Sequence, residues 1–128
     1  SNGLIGTVPT EIGHLTGLLD LWLNENYFTG TLATELGGLI SLVTVHIENN
    51  AFTGTLPMEL SQWGNVVEFL FHGNNVTGSV YDVLCSGAKQ WYVLQSDCLA
   101  TNNDEIEIEC PCCTVCCNSF GVDCQVST

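Results

Sequence analysis

Positive charge is nearly absent from this chain: Lys89 is its only lysine or arginine, and fourteen Asp and Glu residues bring the formal net charge to −13. A surface without cationic side chains cannot neutralise phosphates, which argues against nucleic acid as a partner and against an anionic membrane surface. No apolar run approaches the ~20 residues that a membrane span needs. No phosphate loop, EF-hand or Asp-rich calcium loop is present, and no motif sets a nucleophile beside a base. The expectation is a non-catalytic chain with no cofactor. Cysteine, too, is missing until Cys85, so all eight cysteines fall in the last third of the chain. At 128 residues the chain suits one domain, long enough to bury roughly two-thirds of its unfolded surface.

What is present is a rhythm. Asn2, Asn26, Asn50 and Asn74 recur at a fixed 24-residue period, which marks stacked coils none of which can bury its apolar face alone. From Leu15, Leu39 and Trp63 the periods read LTGLLDLWLNENYFTGTLATELGG, LISLVTVHIENNAFTGTLPMELSQ and WGNVVEFLFHGNNVTGSVYDVLCS. Three apolar columns recur: Leu18/Leu42/Val66, Leu21/Val45/Phe69 and Leu23/Ile47/Phe71. The last two are two residues apart, the period of a half-buried strand. A glycine stands four places past each asparagine (Gly6, Gly30, Gly54, Gly78), then a branched residue or leucine, and a short helical turn as in TEIGHL and MELSQW. An Asn amide offers two donors and an acceptor, so stacked asparagines can satisfy backbone groups that water cannot reach.

On these residues the chain resembles a leucine-rich repeat protein of the plant-specific subtype, whose pattern is LxxLxxLxLxxNxLxGxIPxxLGxLxx. Residues 15–38 carry Leu15, Leu18, Leu21, Leu23, Asn26, Phe28, Gly30 and Leu36-Gly37, with Ala33 where the pattern has proline; residues 39–62 match more fully and include Pro57. Residues 63–85 substitute aromatics and valine and lack both the proline and the Leu-Gly pair. The resemblance covers about residues 1–98. It implies a right-handed superhelix with a parallel sheet on the concave side and helical or 3-10 turns on the convex side. It also implies an extracellular recognition module that binds a protein, peptide or glycan across the concave face. The alternatives are a structural subunit of an extracellular matrix or filament, and an ice-binding solenoid built on the Thr29-Gly30-Thr31, Thr53-Gly54-Thr55 and Thr77-Gly78-Ser79 columns. Because Ser1 falls in mid-repeat, upstream repeats or another chain are expected to cover the first coil.

Residues 99–128 read as a cysteine-rich cap on repeats that end near residue 98. Cys98 stands one full period after Asn74 and is expected at the next ladder position. The segment EIEIEC puts Ile106, Ile108 and Cys110 on one face and Glu105, Glu107 and Glu109 on the other, a strand that closes the stack and discourages further strand addition. Eight cysteines (Cys85, Cys98, Cys110, Cys112, Cys113, Cys116, Cys117, Cys124) suit four disulfides in an oxidising compartment. Cys85 and Cys98 are each expected to tie back to the 110–117 cluster, with the connectivity open among 105 pairings. Zinc at Cys113-x2-Cys116 is the competing reading. Asn75-Val76-Thr77 is a glycosylation sequon.

Residues that alternate with the buried columns define the candidate binding face: Asp20/Thr44/Glu68, Trp22/His46/Leu70 and Asn24/Glu48/His72. Coils stacked ~4.8 Å apart bring Glu48 near His72. Trp22, His46 and Leu70 form an apolar-aromatic stripe flanked by Asp20, Glu48, Glu68 and His72, the setting of an interface anchor. A zinc site from His46, Glu48 and His72 is the minor alternative there.

Overall fold

The computed structural model describes residues 3–87, 89–99, 108–118 and 122–126. Asn2 and the stretch Glu105–Glu107 of the alternating segment lie outside the described residues. Among the described residues twelve short strands follow in order: β1 Ile5–Gly6, β2 Asp20–Trp22, β3 Tyr27–Thr31, β4 Thr44–His46, β5 Ala51–Gly54, β6 Glu68–Leu70, β7 Asn75–Val76, β8 Gly78–Ser79, β9 Val93–Ser96, β10 Ile108–Glu109, β11 Val115–Cys116 and β12 Gln125–Val126. Among the described residues they build three sheets: a parallel one of order β1-β3-β5-β7, a two-stranded one of β8 and β10, and one in which β2, β4, β6 and β9 lie side by side with β11 and then β12 beyond them. Among the described strands only the β11–β12 pair is antiparallel, and β10 lies parallel to β8. Between the sheets of successive coils run 3-10 turns at Thr10–His14, Thr34–Gly38 and Met58–Gln62, and a π-turn at Tyr81–Cys85.

The register explains the sequence period. Asp20, Leu21 and Trp22 pair with Thr44, Val45 and His46, which pair with Glu68, Phe69 and Leu70, so identical columns stack at a 24-residue offset. Alternation along each strand then sends Leu21, Val45 and Phe69 inward, where they are nearly solvent-free. Leu39, Leu42, Ile47, Phe52, Phe71 and Leu94 fill the same interior, with Phe28 stacked on Phe52 and Phe69 on Phe71. Each such side chain contributes about 1.5–3 kcal/mol on leaving water. Gly6, Gly30, Gly54 and Gly78 all hold φ between 79° and 96°, a conformation that strains any side chain, which is why this column keeps glycine.

Among the described residues, Asn26, Asn50 and Asn74 bond the backbone of neighbouring coils. Asn50 Oδ1 accepts from Phe28 N at 3.1 Å, while its Nδ2 donates to Leu23 O at 2.9 Å and to Ile47 O at 3.0 Å. Asn26 Oδ1 accepts from Leu4 N and Asn74 Oδ1 from Phe52 N, each at 3.1 Å. Cys98, however, is not a further rung. Strand β6 pairs with β9 as Glu68↔Val93 and Phe69↔Leu94, an offset of 25, so one extra residue has entered the last coil and Leu99 falls at the position that follows Asn74. The carboxylate of Asp97 takes over instead, both its oxygens lying 2.9 Å from Gly73 N.

The cap joins Cys85 to Cys112, Cys98 to Cys116, Cys110 to Cys113 and Cys117 to Cys124. Cys113 and Cys116 therefore belong to different pairs and are not a thiol set for zinc. Ile108, fully buried, carries β10 onto β8, and Val80 N donates to Glu109 O. At the opposite end, Leu4, Ile5 and Leu15 are 47%, 78% and 55% exposed, so the first coil presents an apolar side. No described helix is long and apolar enough to cross a membrane.

Candidate functional site

The outward face of the six-stranded sheet is set by the same alternation that fills the core. Asp20 and Trp22 flank inward Leu21, Thr44 and His46 flank Val45, and Glu68 and Leu70 flank Phe69. Trp22 is 64% exposed, and its ring lies 5.5 Å from that of His46 at an angle of 18°. The His46 Nε2 in turn sits 2.9 Å from Glu68 Oε1. Trp22 Nε1 donates to Thr44 Oγ1 at 3.2 Å, and the Thr44 hydroxyl donates to Asp20. An indole is thus held against an imidazole by hydrogen bonds that cross three coils, which lowers the entropy lost when a partner packs on it.

The third row behaves differently. Glu48 and His72, each two residues beyond the end of its strand, are only 8% and 7% exposed. Burial raises the Glu48 carboxyl above its ordinary range, and Glu25 and Glu68 add to the rise, while backbone hydrogen bonding and His46 oppose it. Burial, followed by His46, lowers His72 to about 4, so its imidazole is neutral at physiological pH. Glu48 and His72 do not bond each other: Glu48 Oε2 and His72 Nδ1 both lack a partner, and His72 Nε2 lies 3.4 Å from Gln95 Nε2. Their neighbouring coils bring the backbones together without pointing the two groups at one another. His46, Glu48 and His72 likewise do not converge as metal ligands among the described residues.

A fixed 24-residue period misses two members of the face. Gln95 continues the row Trp22/His46/Leu70, and Asp97 continues Asn24/Glu48/His72, both displaced by the extra residue in the last coil. Their signal is faint in sequence, since it depends on where between Ser79 and Val93 the insertion falls. A further column one residue earlier, Leu19, Val43, Val67 and Tyr92, is linked through backbone bonds, with Tyr92 80% exposed. Asn75 is exposed at the start of β7, with Thr77 exposed two residues on. The described residues enclose no pocket, so a partner would lie along an open surface.

This arrangement has the fold of leucine-rich repeat ectodomains. Pollen Receptor Kinase 3 is 27% identical with a TM-score of 0.67, over 86% of this chain and 57% of that one. The plant peptide hormone receptor RGFR1, solved in complex with RGF2, is 28% identical with a TM-score of 0.65, over 73% of this chain and 15% of that one. A plant ice-binding protein is 32% identical with a TM-score of 0.58, over 61% of this chain and 25% of that one. The chain thus spans less than two-thirds of each of these structures. No protein-family model and no curated protein matches it.

Proposed function

We propose that this chain is a non-catalytic extracellular recognition module that binds a protein or peptide in extended form along the outward, concave face of a right-handed leucine-rich repeat superhelix. One observation carries the reading: Trp22, largely exposed, is pre-stacked on His46, which Glu68 holds across the next coil. Exposed, immobilised aromatics are the usual energetic centres of interfaces. A face without a pocket suits a long ligand better than a small molecule. Similarity to a receptor solved with a peptide hormone supports the same class of partner. In this reading Asp20, Glu68 and Leu70 line the contact, and Glu48 and His72 shape it from below. The repeats run to about residue 98, residues 99–128 cap them, and Asn75 is a glycosylation site.

Selection of displayed random peptides on the immobilised domain tests the reading. The recovered binders should lose at least tenfold affinity for the Trp22→Ala protein and for the His46→Ala protein. Binders indifferent to both substitutions would place recognition elsewhere. The exposed Leu4, Ile5 and Leu15 favour a second reading in which another coil or chain packs on the first coil, as in a matrix subunit. Concentration-dependent mass in light scattering, abolished by Ile5→Glu, distinguishes it.

A further inference from the structure

Four carboxylates gather around the Trp22–His46 platform, and His46 already bonds one of them, Glu68. Asp20 and Glu68 lie in the rows beside it, Glu25 follows Trp22 by three residues, and Glu48 leaves its strand on the same side as His46. The field of Glu25 and Glu68 reaches Glu48. Lys89, the sole lysine, donates to Trp63 O and lies 4.3 Å over the Trp91 ring, so it is engaged elsewhere. Glu48 is itself more than nine-tenths buried, and its Oε2 has no hydrogen-bond donor. A buried carboxylate oxygen without a donor is costly, and the cost vanishes when a partner supplies the donor.

Resting on the recognition reading above, we propose that the partner presents an arginine, whose guanidinium packs on the exposed Trp22 ring and donates to the Glu48 and Glu68 carboxylates. A guanidinium is planar, carries five donors and tolerates desolvation better than an ammonium, which fits an aromatic platform rimmed by carboxylates. An acidic partner would meet like charge throughout this face, and a neutral one would leave Glu48 Oε2 without a donor. The net charge of −13 adds long-range attraction for such a ligand but cannot by itself choose a site.

The test uses an acetylated, amidated octapeptide alternating arginine and glycine, beside a counterpart with citrulline at each arginine, which keeps the shape and removes the charge. Fluorescence anisotropy at physiological ionic strength should give at least tenfold tighter binding of the arginine peptide. Trp22→Ala and Glu48→Gln should each weaken it at least fivefold, with Glu68→Gln as a second carboxylate variant. Paired neutralisation of Glu59 and Asp82, on turns away from the face, should change it less than twofold. An arginine peptide that binds no tighter than the citrulline one overturns the proposal, as does a loss on remote neutralisation equal to that of Glu48→Gln. If displayed peptides that depend on Trp22 prove neutral or acidic, arginine recognition fails while the recognition reading stands. If no binder depends on Trp22 or His46, both fail.

Discussion

Removing a ladder asparagine should cost more at the end of the stack than in its middle, and the hydrogen bonds say by how much. In Asn50→Ala the carbonyls keep other partners: Leu23 O retains Asn26 Nδ2 at 3.1 Å, and Ile47 O retains Asn74 Nδ2 at 3.0 Å. The chief loss is the acceptor for Phe28 N, one orphaned donor worth about 1–3 kcal/mol, so the expected cost is near the middle of that range. Asn74→Ala removes the acceptor for Phe52 N and also the donor to Phe71 O. No asparagine follows to replace that donor, because Asp97 can only accept. Two groups are then orphaned at a position 3% exposed, and the expected cost is about 3–4 kcal/mol. Urea unfolding of oxidised protein, with unchanged slopes, measures both. Equal losses, or a larger loss for Asn50→Ala, would refute the idea that each rung shares its carbonyls with the next.

A Cβ at Gly37 would lie 2.3 Å from Glu59 O in the next coil, whereas one at Gly38 meets nothing within 4 Å. Gly37→Ala should therefore cost about 2–4 kcal/mol and Gly38→Ala under about 0.5 kcal/mol, read from the same unfolding curves. His72, at about 4 in the fold against 6.5 free, is protonated more readily when unfolded, so its stabilising share is complete above about pH 6.5 and drains away as pH falls toward 4. The full shift is worth roughly 3 kcal/mol, reduced to about 2 kcal/mol by solvent screening; wild type should lose that much relative to His72→Gln between neutral pH and the folded-state value. Glu48 runs the other way, since its raised pKa favours the fold at low pH, and parallel curves for wild type and His72→Gln would refute the assignment. Replacing Cys85 and Cys112 by serine opens a loop of sequence separation 27, against 3 for Cys110 and Cys113. Chain entropy gives about 3.5 against about 1.5 kcal/mol, checked by thermal melts of the two double variants.

The stacked architecture was legible because several residue types obey the same 24-residue offset for unrelated reasons. Asn50 is fixed by backbone satisfaction, Gly54 by positive φ, Val45 by burial and Gly37 by the approach of Glu59, and all four point to one register. The outward rows through Glu68 and Leu70 were legible for the same reason, since alternation follows once the inward column is known. Glu48 and His72 read as open surface in the sequence and are buried in the fold. Alternation tells which side a residue takes, but not whether the turn beyond a strand end folds over it. The stacking of Trp22 on His46 likewise depends on rotamers that composition does not specify.

Cys98 fails as a rung for a reason that also explains the cap. The ladder position needs a side chain that both donates and accepts, and a sulfur in a disulfide does neither well. One inserted residue before Val93 moves Cys98 into line with Gly73, where it meets Cys116 on β11, and moves Asp97 to the strand end, where it accepts from Gly73 N. A carboxylate there takes the N–H groups of the preceding coil but can pass nothing on, because it has no N–H of its own to give the next. Two neighbouring residues thus end the stack by different chemistry, one as an acceptor-only terminus and one as a crosslink to the closing strand. An Asp97→Asn substitution restores the donor without restoring the register. It should therefore leave the cap in place and lower stability by about 1–2 kcal/mol through loss of the charge-assisted bonds to Gly73. A gain in stability, measured by urea unfolding of the oxidised protein, would mean that the carboxylate, not the inserted residue, is what ends the ladder.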